Sequence, residues 1–205
     1  MNVLIVTSSA QGEKSVSNGL AAHFANQVQL ARPGSRIVVR DVGHEPLPHL
    51  VEDTIAGIRA DGQSEAERAT RTVSDTLLAE VRGADVVVIA SPMYNFGISS
   101  TLKTWFDYVL RPRVAFRYSE KGPEGLLGPR KVIVIESRAG KYAPGDPADS
   151  QEPHLRQMLT FAGLSDIDFV RAEGLAFGEE AAAAAIAGAQ AELTALAGKA
   201  LPLAA

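Results

Sequence analysis

Two uninterrupted runs of branched apolar residues, Val86-Val87-Val88-Ile89 and Val132-Ile133-Val134-Ile135, constrain this chain more than any other feature. A strand with one face in water alternates apolar and polar residues. These runs do not alternate, so they read as central strands of a parallel sheet with helices above and below. The sequence predicts five strands, at Asn2–Thr7, Arg36–Asp41, Ala84–Ala90, Lys131–Glu136 and Asp166–Arg171, alternating with helical patterns. With 205 residues, 46% of them hydrophobic, the chain can bury one substantial core, and residues 1–205 read as a single α/β domain.

The helical patterns are amphipathic. Val16, Leu20, Phe24 and Val28 share one face, and Ser64-Glu65-Ala66-Glu67 has capping-box spacing ahead of an inner face of Ala66, Ala69, Val73, Leu77, Leu78 and Val81. Leu102, Trp105, Phe106, Val109 and Leu110 form a third stripe, stopped by Arg111-Pro112. Glu179 and Glu180 suit the start of a last helix carrying Ile186, Leu193 and Leu196. Between Val42 and Gln63, a stretch with Pro46 and Pro48 reads as an irregular surface segment. Val114 to Tyr118, followed by Glu120 to Gly125, predicts a protruding arm or hairpin with aromatic side chains.

Composition narrows the chemistry. Zero cysteines exclude disulfides, thiol nucleophiles and cysteine-ligated metals, and suit a reducing compartment. The amino terminus has neither a basic segment nor a long apolar core, so the expectation is a cytoplasmic protein without signal peptide or membrane span. Net charge is −4, from 24 acidic and 20 scattered basic residues, which predicts no nucleic-acid partner. His23, His44, His49 and His154 show no metal-ligand spacing, and no metal site is predicted. Neither a nucleophile elbow nor a Walker A loop nor G-x-G-x-x-G is present.

Three predicted strand ends deliver small, polar and aromatic loops to one edge, where open α/β sheets bind ligands. Ser8 to Ser17 follows the first strand and opens a helix. Its hydroxyls at Ser9, Ser15 and Ser17, with free N–H groups of the first helical turn, can hold a phosphate without a dedicated arginine. Ser91-Pro92-Met93-Tyr94-Asn95-Phe96-Gly97-Ile98-Ser99 follows the third strand, and Ser137-Arg138-Ala139-Gly140 the fourth. Each loop taken singly also reads as an ordinary strand-to-helix turn with its N-cap. Together they suit a mononucleotide: a flavin with its phosphate on the first loop and its ring against the other two.

These residues in this order, joined by Phe116-Arg117-Tyr118-Ser119 and Gly122-Pro123-Glu124-Gly125, resemble the bacterial FMN-dependent NADH:quinone oxidoreductases, or azoreductases, over almost the whole chain. The resemblance implies a flavodoxin-like three-layer sandwich with a five-stranded parallel sheet in order 2-1-3-4-5, helices on both faces, and a homodimer whose two FMN sites each use both subunits. Carried over by position, Ser9, Ser15, Val16 and Ser17 would hold the phosphate and ribityl end of FMN. Met93, Tyr94, Asn95 and Phe96, with Ser137, Arg138, Ala139 and Gly140, would surround the ring.

Phe96 would also face the stacking position shared by nicotinamide and acceptor. Tyr118 and Phe161 of the other subunit would wall that position, and Arg59 matches a pyridine-nucleotide position of relatives. No side chain is implied as a catalytic acid or base, because FMN carries the chemistry. The implied reaction is two-electron ping-pong transfer from NADH or NADPH to a quinone, azo or nitroaromatic molecule. Gln11 stands where many relatives have arginine, and Lys141-Tyr142 departs from the pattern, leaving the choice between NADH and NADPH open. Two other functions share such a scaffold: a flavodoxin-type electron carrier and a flavin-free binding module.

Overall fold

The computed structural model describes residues 1–199. Seven strands and six helices follow one another as β1 (Asn2–Thr7), α1 (Val16–Ala31), β2 (Arg36–Asp41), α2 (Glu52–Arg59), α3 (Glu65–Gly83), β3 (Val86–Pro92), α4 (Ser100–Val109), β4 (Phe116–Ser119), β5 (Gly122–Gly125), β6 (Lys131–Ser137), α5 (Gln151–Phe161), β7 (Asp166–Ala172) and α6 (Glu179–Gly198). Five strands form one parallel sheet in the order β2-β1-β3-β6-β7. Once the antiparallel β4–β5 hairpin is set aside, this is the expected order 2-1-3-4-5.

Why the central runs lack alternation is visible in what each face meets. Leu4, Val6, Val87, Ile89, Val132 and Val134 pack on one side with residues of α3, α4 and α5. Val3, Ile5, Val86, Val88, Ile133 and Ile135 pack on the other with Leu20 and Phe24 of α1 and Leu193 of α6. Both faces are dry, so every position must be apolar. By length and composition α6 could cross a membrane; here Ala189, Leu193, Leu196 and Ala197 are buried against the sheet and α1.

Several boundaries differ from the sequence expectation. β3 begins at Val86 rather than Ala84, because Ala84 still bonds back to Val81 as the α3 cap and Asp85 accepts the Asn2 N–H at 2.7 Å. It runs on through Ser91 and Pro92, which pair with Glu136 and Ser137. On α3, Thr70 and Ser74 are the buried small residues, whereas Ala66 and Ala69 are exposed. The capping box of Ser64 and Glu67 is present, with Ser64 Oγ accepting the Glu67 N–H at 3.2 Å.

The segment 42–63 is not wholly irregular, since it contains α2. That helix is short and is held by tertiary contact: a Cβ on Gly57 would stand 2.3 Å from the Glu67 carbonyl oxygen, so only glycine lets α2 lie this close to α3.

Candidate functional site

The loop after β1 is built to receive an anion. Ser15 caps α1, its Oγ accepting the Asn18 N–H at 3.2 Å, and lies 3.2 Å from the Ser17 hydroxyl. Ser9, Ser15 and Ser17 are all buried polar residues. The Asn18 N–H is spent on this cap and the Gly19 N–H on the Ser15 carbonyl. Val16 and Ser17 stand before them, and their N–H groups have no protein acceptor among the described residues. Donors at the positive end of a helix dipole, next to two hydroxyls, match a phosphate dianion.

The loop after β3 is tied to the first. Tyr94 Oη lies 3.2 Å from Ser9 Oγ and accepts the Ala10 N–H at 3.1 Å. Tyr94 and Gly97 exchange two backbone hydrogen bonds, of 2.9 and 3.1 Å, across a two-residue turn. Its central residues, Asn95 and Phe96, have φ of +49° and +70°. Asparagine tolerates that region, but phenylalanine is strained there by about 1–2 kcal/mol. What the strain achieves is exposure: the Phe96 ring stands 57% open at the strand edge, a flat apolar surface where bulk folding forces would have buried it.

The third loop abuts the second, the Met93 N–H donating to the Ser137 carbonyl at 2.9 Å. The Arg138 side chain does not project from this loop: it is 1% exposed and turned inward. Its Nη2 lies 2.8 Å from Glu136 Oε2, and its Nη1 3.0 Å from Asp149 Oδ2 and 3.1 Å from Glu173 Oε1. Its Nε donates to Gln151 Oε1 at 3.0 Å, and its backbone N–H to the Ala172 carbonyl at 2.9 Å. A buried guanidinium needs opposite charge around it, and three carboxylates from separate parts of the chain supply it. The loop therefore offers Ala139 and Gly140, whose N–H groups have no protein acceptor among the described residues.

Beneath Arg138 lies Glu136, fully buried. Burial pushes its carboxyl up to about 7, in spite of the opposing charges of Arg138 and, at 3.4 Å, Arg171. Desolvation is the largest influence and outweighs the pairing with Arg138.

Tyr118 and Phe161 are brought together, but not at these loops. Their ring centroids are 6.5 Å apart, with Phe116 between them at 5.7 and 4.4 Å. Phe161 ends α5, whose other end meets the loops, so the cluster sits about 15 Å along that helix by its rise per residue. Arg59 lies elsewhere again, exposed at the end of α2 and lining a small cavity with Arg71, Pro112 and Arg113.

Sequence reasoning missed Gln151, fully buried between the second and third loops. The only sequence signal was Asp149 preceding a helix start, which does not reveal an inward-facing amide.

A family model for the flavodoxin-like fold matches residues 1–197. Over 194 residues the chain is 47% identical to an FMN-dependent NADH:quinone oxidoreductase of Hyphomonas neptunium, covering 94% of this chain and 93% of that protein. A protein of the same name from Azotobacter vinelandii is 51% identical over 178 residues, 86% and 89% of the two chains. Among solved structures, an azoreductase of Bacillus anthracis superposes with a TM-score of 0.85 at 28% identity, covering 97% of this chain and 99% of the other. With its sheet order, its three converging loops and these relatives, the chain belongs to the flavodoxin-like family of FMN-dependent NADH:quinone oxidoreductases and azoreductases.

Proposed function

We propose that this chain is an FMN-dependent oxidoreductase that passes two electrons from NADH or NADPH to quinones, azo compounds or nitroaromatics. The observation that carries the reading is the anion-ready start of α1 standing beside a strained, exposed Phe96 at one sheet edge. Bound FMN would supply the hydride chemistry at this site. The residues do the rest. Ser9, Ser15 and Ser17, with the N–H groups of Val16 and Ser17, would hold the phosphate and ribityl end, and Gln11 would leave that task to hydroxyls and N–H groups. Met93, Tyr94 and Asn95 would line one edge of the ring, and Ser137, Ala139 and Gly140 would present N–H groups and a hydroxyl to the other. Arg138 would stiffen that loop from behind.

Phe96 would hold one stacking place, so the oxidised nicotinamide must leave before a flat acceptor enters, and the kinetics would be ping-pong. No acid or base is needed there, because solvent can protonate the product. The separation of Tyr118 and Phe161 from the loops supports a homodimer in which each protomer's arm would wall the other's site, with Arg59 reaching toward the pyridine nucleotide. The cysteine-free composition and scattered charge suit a cytoplasmic enzyme acting on small molecules.

Initial rates of NADH oxidation by benzoquinone test the reading. Activity that requires added FMN and gives parallel double-reciprocal lines is expected. Intersecting lines would show both substrates bound at once and remove the single stacking place, and no activity with FMN present would overturn the assignment.

A further inference from the structure

We propose that Gln151 is a positioning residue for the ring seat: its buried amide ties the end of β3, at Ser91 just before the Met93–Phe96 loop, to Arg138 of the Ser137–Gly140 loop and sets how the two loops leave the sheet. The inference rests on the FMN reading above.

β3 and β6 pair through Pro92 and Ser137, and beyond them the Met93 to Ser137 hydrogen bond is the last direct backbone link between the two loops. Gln151, at the first turn of α5, braces the two strand ends just before they diverge. Its Nε2 donates to the Ser91 carbonyl at 2.9 Å and lies 3.0 Å from Ser91 Oγ, while its Oε1 accepts from Arg138 Nε at 3.0 Å. Both amide donors are thus engaged with β3 and the acceptor with the third loop. A glutamate in its place would have no N–H for the Ser91 carbonyl.

The helix start is itself fixed. Asp149 Oδ1 accepts the N–H groups of Gln151 and Glu152 at 2.9 and 3.1 Å, and its Oδ2 pairs with Arg138. One residue on, the Ser150 N–H donates to the carbonyl of Phe96 at 3.1 Å, holding that residue at its positive φ. A single helix end therefore grips both loops, and their separation becomes a property of a rigid element rather than of two flexible ones.

Gln151→Met keeps nearly the same volume and removes every amide hydrogen bond. FMN affinity, visible circular dichroism at saturating FMN, kcat and KM with NADH, and the melting temperature of the apoprotein are measured together. The expected result is FMN binding weaker by about tenfold, the size of effect that one or two lost hydrogen bonds produce. An altered dichroism band at saturation and a kcat that falls more than KM rises accompany it. Wild-type values for affinity, spectrum and kcat would overturn the proposal. So would a lower melting temperature with a native spectrum at saturation, because Gln151 would then serve the fold alone.

Should Gln151→Met not fold, Ser91→Ala decides by the same readouts, since it removes only the Oγ contact. About threefold weaker FMN binding with a band change in the same sense is expected, and wild-type behaviour would overturn the proposal. If the wild-type protein binds no FMN, the functional reading falls and this inference with it. If the wild type binds and the variants match it, the positioning role falls alone.

Discussion

At the scale of single residues, the site is held by short polar contacts around a strained turn. Tyr94 does two tasks with one hydroxyl, meeting Ser9 Oγ and the Ala10 N–H, so it locks the loop after β1 to the loop after β3. Tyr94→Phe is expected to weaken FMN binding about 3- to 10-fold, since each lost hydrogen bond contributes about 1 kcal/mol. A fluorescence titration with an unchanged dissociation constant would remove that bridge from the account. Asn95 was singled out by the resemblance of its loop to the family, and the structure puts it at positive φ in a turn, a conformation asparagine accepts. The inward turn of the Arg138 side chain was not legible, because an arginine in a loop after a strand ordinarily faces outward. Nothing local announces that Glu136, Asp149 and Glu173, from separate parts of the chain, converge to bury it.

Among the elements, the hairpin β4–β5 shows how little room some contacts leave. A Cβ on Gly125 would stand 2.0 Å from the backbone nitrogen of Gly163, where α5 ends, and the Leu127 N–H donates to the Ala162 carbonyl at 3.0 Å just beyond. Gly125→Ala must lift the arm, at an overpacking cost of about 1–3 kcal/mol. Differential scanning calorimetry should record a melting temperature lower by about 2–10 °C. Because Tyr118 and Phe161 ride on this junction, acceptor reduction should slow while FMN affinity in the same preparation changes little; equal losses in both would place the arm against the cofactor itself. From sequence, Glu120 to Gly125 read as part of a protruding arm or hairpin, but its fit to Gly163 depends on contact between distant segments. α2 was illegible for a related reason. Its eight residues are too short a stretch to establish a helical period beside Pro46 and Pro48, and its position rests on Gly57 against α3. The central strands, whose burial on both faces is written in every residue, were read almost to their ends.

For the whole molecule, the buried Glu136 links stability to pH. Its carboxyl titrates near 7 in the folded chain against a reference of 4.5, so between these values the folded state holds a proton that the unfolded chain has released. Its contribution to stability is full below about 4.5 and is lost as pH rises through about 7, at up to about 1.4 kcal/mol per pH unit. The melting temperature of the wild type should therefore fall relative to that of Glu136→Gln, which has no proton to lose, as pH rises from 4.5 to 7.5. Parallel curves would mean that Glu136 is ionised throughout that range. The account's central claim is tested most directly by the visible spectrum of protein loaded with FMN and desalted, recorded anaerobically before NADH, after NADH, and after a benzoquinone. Retained yellow colour that NADH bleaches and the quinone restores is the predicted result. Retained FMN that NADH cannot reduce would point to an electron carrier, and a colourless protein after desalting would contradict the assignment of the three loops.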